Sequence, residues 1–244
     1  MRRFGLIGYP LGHSFSRKYF TAKFQREGIT DAVYELFELK NLEDFPALLA
    51  QYPDMVGLSV TIPHKQNIIQ FLDEIDPVAA RIGAVNTVKI TNGKCTGFNT
   101  DYIGFRDSLK NFCPELTSVK ALILGTGGAS KAVQAALQEL HIPFKLVSRN
   151  PKNEEVSYKD LTPEMIEAHK LIINTTPLGT FPNTETCPEI PYEYLTTTHY
   201  LHDLVYNPEE TLFMKNGTEK GAKTKNGYEM LVLQAEAAWQ IWNS

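Results

Sequence analysis

The chain has 244 residues, 43% of them hydrophobic and 21% charged, with a formal net charge of −4 at pH 7. That length supports one large or two modest domains with buried cores, and so mild a charge argues against a nucleic-acid or membrane surface as the main binding face. No apolar run is long enough to span a bilayer, and Cys95, Cys113 and Cys187 stand apart without metal-ligand spacing, so they read as reduced thiols of a cytoplasmic protein.

The first residues, Met1 to Gly8, carry two cations and then a brief apolar run into Gly-Tyr-Pro, which reads as a strand over Arg3 to Gly8 rather than a signal peptide. A loop to Ser16 leads into a helix bearing Tyr19, Phe20, Lys23 and Phe24. On an extended backbone Ser14 and Ser16 would point the same way and donate together to one carboxylate; with equal weight, Ser16 is the cap of that helix. The plain expectation for His13 is a hydrogen bond that would hold the loop. A strand near Val33 to Glu38 and an amphipathic helix with Leu42, Phe45, Leu48 and Leu49 follow.

Met55 to Lys65 reads as a strand ending at Thr61 and a helix opening at Pro63, with Ser59 and Thr61 on one strand face. Lys65 then falls in a first helical turn, where the macrodipole opposes a cation. It either reaches solvent or meets a carboxylate across a cleft. Thr91-Asn92-Gly93-Lys94 is a two-residue hairpin signal that folds the Asn86 end of one strand back beside Asn99 and Asp101 at the end of the next. Asp101 precedes a helix with Ile103, Phe105, Leu109 and Phe112, and taken singly it reads as an N-cap.

Val119 to Ser130 joins an apolar strand to a glycine turn and a helix with Ala132, Val133, Ala136, Leu137 and Leu140 at helical spacing. In a G-x-G-x-x-G register the positions are Gly125, Gly127 and Ser130; such glycines permit the sharp turn and let backbone approach a pyrophosphate, whose charge the helix start favours. An ordinary glycine-rich turn of an α/β domain is the competing reading. The next strand, Pro143 to Arg149, ends in Ser148-Arg149-Asn150-Pro151-Lys152. An NAD site usually puts a carboxylate there; two cations and no carboxylate point to NADP, with Arg149 and Lys152 on a 2′-phosphate.

Only Asn150 to Glu155 separates this strand from Val156-Ser157-Tyr158, too few residues for the usual crossover helix. A short loop over 150–156 is expected, leaving the adenine side open. Leu171 to Ile173 is a buried strand ending at Asn174-Thr175, below the nicotinamide ribose, and Tyr200 to Val205 is the last long strand. The final helix, Tyr228 to Trp242, sets Leu231, Gln234, Ala235 and Ala238 on one face.

In this order, Gly8 to Ser16 with its His-Ser-x-Ser, Val60 to Lys65, Gly83 to Thr87, Gly97 to Asp101, Gly125 to Ser130, Asn174 to Gly179 and Asp203 to Pro208 resemble the shikimate dehydrogenase family over essentially the whole chain. The resemblance implies NADPH-dependent reduction of 3-dehydroshikimate to shikimate, on the route to aromatic amino acids. It implies a two-domain α/β fold with a cleft between the halves: a substrate-binding and catalytic domain over 1–101, completed by the C-terminal helix 228–244, and a Rossmann-like NADP-binding domain over 102–227. Ser14 and Ser16 would grip the substrate carboxylate, with Tyr206 near it; Thr61, Asn86 and Asp101 would bind ring hydroxyls, with Gln234 at the substrate. Lys65 and Asp101 would be the catalytic pair.

The cofactor positions are Gly125, Gly127, Gly128, Ala129, Ser148, Arg149, Lys152, Thr175 and Gly227, with no metal. A monomer or homodimer acting on a small molecule, without nucleic acid or membrane, is expected. The chain departs from the pattern at Ser59, where many members have Asn, at Arg17 for a frequent Pro, and at Thr180 for a frequent Met. Two other readings remain: a quinate/shikimate dehydrogenase using NAD, which predicts a carboxylate in place of Arg149, and a non-catalytic NADP-binding sensor.

Overall fold

The computed structural model describes residues 1–12, 14–114 and 118–244, so His13 lies outside the described residues. Two compact units emerge, Met1–Asp101 with Gln234–Ser244, and Tyr102–Leu233. Each is built on a six-stranded sheet, giving the expected two-domain α/β architecture.

In the first unit, β1 (Arg2–Gly8), β2 (Ala32–Glu38) and β3 (Met55–Val60) run parallel, with β1 in the middle of the three. Beyond β3 lie β4 (Glu74–Ile75), β5 (Thr87–Thr91) and β6 (Lys94–Phe98), in the sheet order β2-β1-β3-β5-β6-β4. The β5–β6 hairpin pairs Thr91 with Lys94, and its two turn residues, Asn92 and Gly93, have φ of 52° and 79°. This is the left-handed pair that a two-residue hairpin demands and that Asn-Gly supplies at low cost. Helices α1 (Phe15–Arg26), α2 (Phe45–Gln51) and α3 (Pro77–Ile82) complete the first part of the chain.

One sheet face packs Ile7, Leu58 and Val88 against Phe45, Leu48 and Ile68. On the other, Phe4, Phe20 and Phe24 pack with Ala235, Ala238 and Trp242 from α8 (Tyr228–Asn243). The Trp242 indole donates to the Val88 carbonyl at 3.0 Å and lies on Gly57, where an added Cβ would come within 2.3 Å of the ring. Only a residue without Cβ lets the indole rest on the strand there.

The second sheet contains β7 (Ala121–Leu124), β8 (Phe144–Ser148), β9 (Val156–Ser157), β10 (Leu171–Asn174), β11 (Tyr200–Asp203) and β12 (Lys223–Lys225), all parallel, in the order β12-β11-β10-β7-β8-β9. Apolar side chains cover both faces, which is why β7 and β10 read as unbroken apolar runs. Helix α4 (Thr100–Phe112) opens just before this unit; α5 (Gly128–Glu139), α6 (Pro163–Ala168) and α7 (Leu212–Glu219) lie within it. No helix forms over 150–156, where a turn joins β8 to β9. Among the described residues no helix is long and apolar enough to cross a membrane.

Three local expectations need correction. No α-helix opens at Pro63: the Lys65 carbonyl accepts from Val85 N–H at 2.7 Å, so it is engaged by another segment, and only a 3-10 turn follows at Asn67–Phe71. Ser14 rather than Ser16 is the cap of α1, accepting from Arg17 N–H at 3.2 Å. Ser16 therefore lies in the first helical turn, and the extended Ser-x-Ser geometry does not form. The last long strand stops at Asp203, because Val205 N–H turns back to the Asp203 carboxylate at 3.0 Å, and β12 adds an edge strand that the apolar pattern did not signal.

Candidate active site

The ammonium of Lys65 donates to Asp101 Oδ2 at 2.7 Å, with the two side chains 33% and 23% exposed. Lys65 thus meets a carboxylate from its own unit while both groups stay open to a ligand. Asp101 is not the cap of α4 but lies within its first turn, where a negative charge suits the helix dipole. The helix start is held instead by Asn86, whose Oδ1 accepts from Thr100 N–H at 2.6 Å and whose Nδ2 donates to Thr100 Oγ1 at 3.0 Å. Asn86 and Thr100 are buried, so their geometry is fixed by the hairpin that the sequence signalled. Asn99 donates to the Ala84 carbonyl at 3.0 Å, tying the same two segments together.

Gln234 Oε1 accepts from Thr100 Oγ1 at 3.5 Å, which brings the last helix to this cluster. Thr61 follows β3, its N–H donated to the Ile7 carbonyl at 2.9 Å. Ser14, Ser16 and Thr61 are all partly exposed, and the Ser14 hydroxyl, although it accepts as a cap, keeps its own proton for a ligand. Arg17 matters here through its backbone, since a proline could not donate to Ser14. Ser59 Oγ accepts from the buried Tyr34 hydroxyl at 2.9 Å. Burial pushes the Tyr34 phenol above its usual range; it stays a neutral donor fixed behind Ser59.

In the second unit a cavity of about 1000 Å³ is lined by Gly125, Thr126, Gly127, Ser148, Arg149, Lys152, Tyr158 and Thr175, among others. Gly125 has φ +102°, a backbone state that favours glycine. A Cβ placed on Gly127 or Gly128 would meet no protein atom within 4 Å. The space beside the α5 N-terminus is therefore open, as an approaching pyrophosphate requires. Ser130, at the third glycine position, is buried and accepts from Gln134 at 3.1 Å. Thr175 binds the Leu124 carbonyl through both its N–H, at 3.0 Å, and its hydroxyl, at 2.8 Å, holding the β10 end against the glycine turn.

Gly128, Ala129 and Gly227 do not line the cavity. Gly227 is instead pressed on backbone: a Cβ there would come within 2.1 Å of the Leu204 carbonyl oxygen. Tyr206 is exposed, beyond β11. No group of three or more His, Cys, Asp or Glu side chains suited to a metal ion occurs among the described residues.

Sequence reasoning missed Tyr158 and the Glu185 to Glu189 wall of the cavity. It also missed the bonding below the 175–179 segment, although both motifs concerned were noticed. Asp203, fully buried, accepts from Asn174 Nδ2 at 2.9 Å and from the Thr211 hydroxyl at 2.6 Å. Asn174 Oδ1 in turn accepts from Thr176 N–H at 3.0 Å and Thr176 Oγ1 at 2.7 Å. Desolvation pushes the Asp203 carboxyl up to about 6, against the three hydrogen bonds that favour its charged form. An acid placed between two strand ends just beyond apolar runs was the available signal.

A family model described as the shikimate dehydrogenase substrate binding domain matches residues 6–88. Over 98% of its length the chain is 40% identical to a Methanococcus maripaludis protein named shikimate dehydrogenase (NADP(+)), of which it covers 90%. Among solved structures it resembles a chorismate mutase/shikimate 5-dehydrogenase fusion protein from Clostridium acetobutylicum, with TM-score 0.89 and 37% identity, covering 100% of this chain and 91% of that one. It also resembles shikimate 5-dehydrogenase from Thermus thermophilus in complex with NADP(H) and shikimate, with TM-score 0.87 and 32% identity over 99% of this chain and 93% of the other.

Proposed function

The chain belongs to the shikimate dehydrogenase family, and from that premise we propose that it catalyses the reversible NADPH-dependent reduction of 3-dehydroshikimate to shikimate. The observation that carries the reading is the Lys65–Asp101 pair, bonded at 2.7 Å yet partly open, beside the Asn86–Thr100–Gln234 cluster. Ketone reduction places negative charge on oxygen, and an ammonium both stabilises that charge and supplies the proton. Lys65 is assigned this proton donation. Asp101 holds the Lys65 ammonium in place and accepts from a ring hydroxyl.

Thr61, Asn86 and Gln234 are assigned to the ring hydroxyls, Ser14 and Ser16 to the carboxylate, and Tyr206 to the substrate by likeness alone. Met1–Asp101 with Gln234–Ser244 is assigned as the substrate domain and Tyr102–Leu233 as the cofactor domain, so the boundary falls inside the last helix and not before it at 228. The open space at Gly127, and the cations Arg149 and Lys152 in the same cavity, without an ion-pair partner among the described residues, fit a phosphorylated dinucleotide. When bound, NADPH supplies the hydride. Gly125 and Gly127 leave room for the pyrophosphate, Thr175 supports the nicotinamide end, and Ser148, Arg149 and Lys152 are assigned to the 2′-phosphate.

A quinate/shikimate dehydrogenase using NAD would place a carboxylate at the tip of β8, where Arg149 stands. A non-catalytic sensor has no need of the Lys65–Asp101 pair. We place the protein in the cytoplasm, as a monomer or homodimer without a nucleic-acid partner; the net charge of −4 and the thiols of Cys95 and Cys187, in no disulfide among the described residues, support this. Steady-state kinetics with shikimate and quinate against NADP and NAD test the reading. Turnover greatest with shikimate and NADP is expected; greatest turnover with quinate or NAD, or none with any pair, contradicts it.

A further inference from the structure

We propose that Tyr158 is a cofactor-specificity residue, its hydroxyl donating to the phosphate on the 2′ oxygen of the adenosine ribose alongside Ser148, Arg149 and Lys152. The inference rests on the NADP reading and adds a residue that no motif in the sequence marks.

The register of two short strands places it. Ser148, the last residue of β8, pairs in parallel with Ser157, the last residue of β9. The next residues, Arg149 and Tyr158, therefore leave the carboxyl edge of the sheet side by side, on strands about 4.8 Å apart. That edge is where open α/β sheets bind their ligands. Because residues 149–155 join β8 to β9 without a helix, no helix intervenes at this end of the cavity, and Tyr158 lines it with Ser148, Arg149, Asn150 and Lys152.

The bonding pattern points to an anion. Neither the Arg149 guanidinium nor the Lys152 ammonium has a carboxylate partner among the described residues, and the Tyr158 hydroxyl has no hydrogen-bond partner there. The Lys152 backbone is held by Glu155, its N–H donating to Oε2 at 3.0 Å, which leaves the ammonium on its flexible stem. Ser148 Oγ accepts from Asn150 N–H at 3.3 Å and keeps its own proton to donate. Two cations and two hydroxyl donors share one rim.

Tyr158 is also held rigidly enough to discriminate. Its ring packs against the core around Val147, Leu161 and Ile166, and its carbonyl accepts from Leu161 N–H at 3.5 Å. Burial pushes the phenol up to about 12, with the Arg149 charge acting in the opposite direction, so at neutral pH the group is a donor. A neutral donor beside two cations suits a phosphate and gives a bare ribose hydroxyl little.

Calorimetric titration of the full chain with adenosine 2′,5′-bisphosphate and with ADP tests this. The unaltered chain should favour the bisphosphate. Tyr158→Phe keeps the ring and its packing, and should weaken bisphosphate binding about tenfold while leaving ADP binding unchanged. A full preference retained in Tyr158→Phe, or an equal loss for both ligands, would overturn the inference while leaving the cofactor reading intact. An unaltered chain that binds both ligands equally would overturn the two together.

Discussion

Lys65 and Asp101, thirty-six residues apart in sequence, are joined by a 2.7 Å hydrogen bond between ammonium and carboxylate. Neither is locked away from solvent, and neither has a second ion-pair partner among the described residues. If Lys65 donates the proton, Lys65→Met should lower kcat by about 10²–10⁴-fold with a smaller change in the KM for shikimate. Steady-state kinetics with NADP and shikimate measure the split. Near-normal turnover with weakened binding would reduce Lys65 to a substrate contact.

Arg149 extends from the C-terminal end of β8 with no carboxylate beside it among the described residues. Arg149→Gln should raise the Kd for NADP about tenfold or more, since hydrogen bonds to charged groups contribute about 1.5–3 kcal/mol, and should leave the Kd for NAD nearly unchanged. Fluorescence titration with each dinucleotide reads both values. Equal losses would show that Arg149 does not recognise the 2′-phosphate.

Gly57 lies under the Trp242 indole, with 2.3 Å between an added Cβ and the ring. Gly57→Ala should destabilise the chain by about 1–3 kcal/mol through overpacking. Trp242→Ala, emptying a site only 3% exposed, should cost about 3–5 kcal/mol. Urea unfolding measures both. Because the two residues touch, Trp242→Ala should relieve most of the Gly57→Ala penalty, and strict additivity would contradict the contact.

His202 and Asp203 titrate in opposite senses. Full burial pushes the His202 imidazole down to about 3 from 6.5, so its stability contribution is complete above pH 6.5 and is lost as pH falls from there towards 3. The Asp203 carboxyl is raised from 3.8 to about 6, so its contribution is complete below pH 3.8 and is lost as pH rises through 6. Between pH 4 and 6 each slope is about 1.4 kcal/mol per pH unit and they offset one another. Asp203→Asn removes one of them while keeping a side chain that can bond Asn174, Val205 and Thr211. Its unfolding free energy should then fall about 1.4 kcal/mol per unit more steeply on acidification across that window. Parallel pH profiles for the variant and the unaltered chain would refute the assignment.

Much of the site was legible in sequence because its signals are local. Gly125-x-Gly127 after an apolar run reports a turn whose geometry few other residues tolerate, and Asn92-Gly93 reports a hairpin whose closure brings Asn86 to Asn99 and Asp101. The Ser14 cap and the turn at Lys65 were misread for one reason. Each depends on where a backbone group finds its partner: Arg17 N–H at Ser14, and Val85 N–H at the Lys65 carbonyl. Neither choice is visible in side-chain periodicity.

The sequence by itself determined two α/β units, the glycine turn after β7 and the absence of a crossover helix after Arg149, because apolar period, glycine freedom and chain length act within a few residues. Only tertiary structure joined Lys65 to Asp101, seated Trp242 on Gly57, buried Asp203 beneath the Asn174–Thr176 turn and aligned Tyr158 with Arg149. These are set by strand register and by which faces exclude water. Both are properties of the assembled sheets, and no short window of sequence contains them.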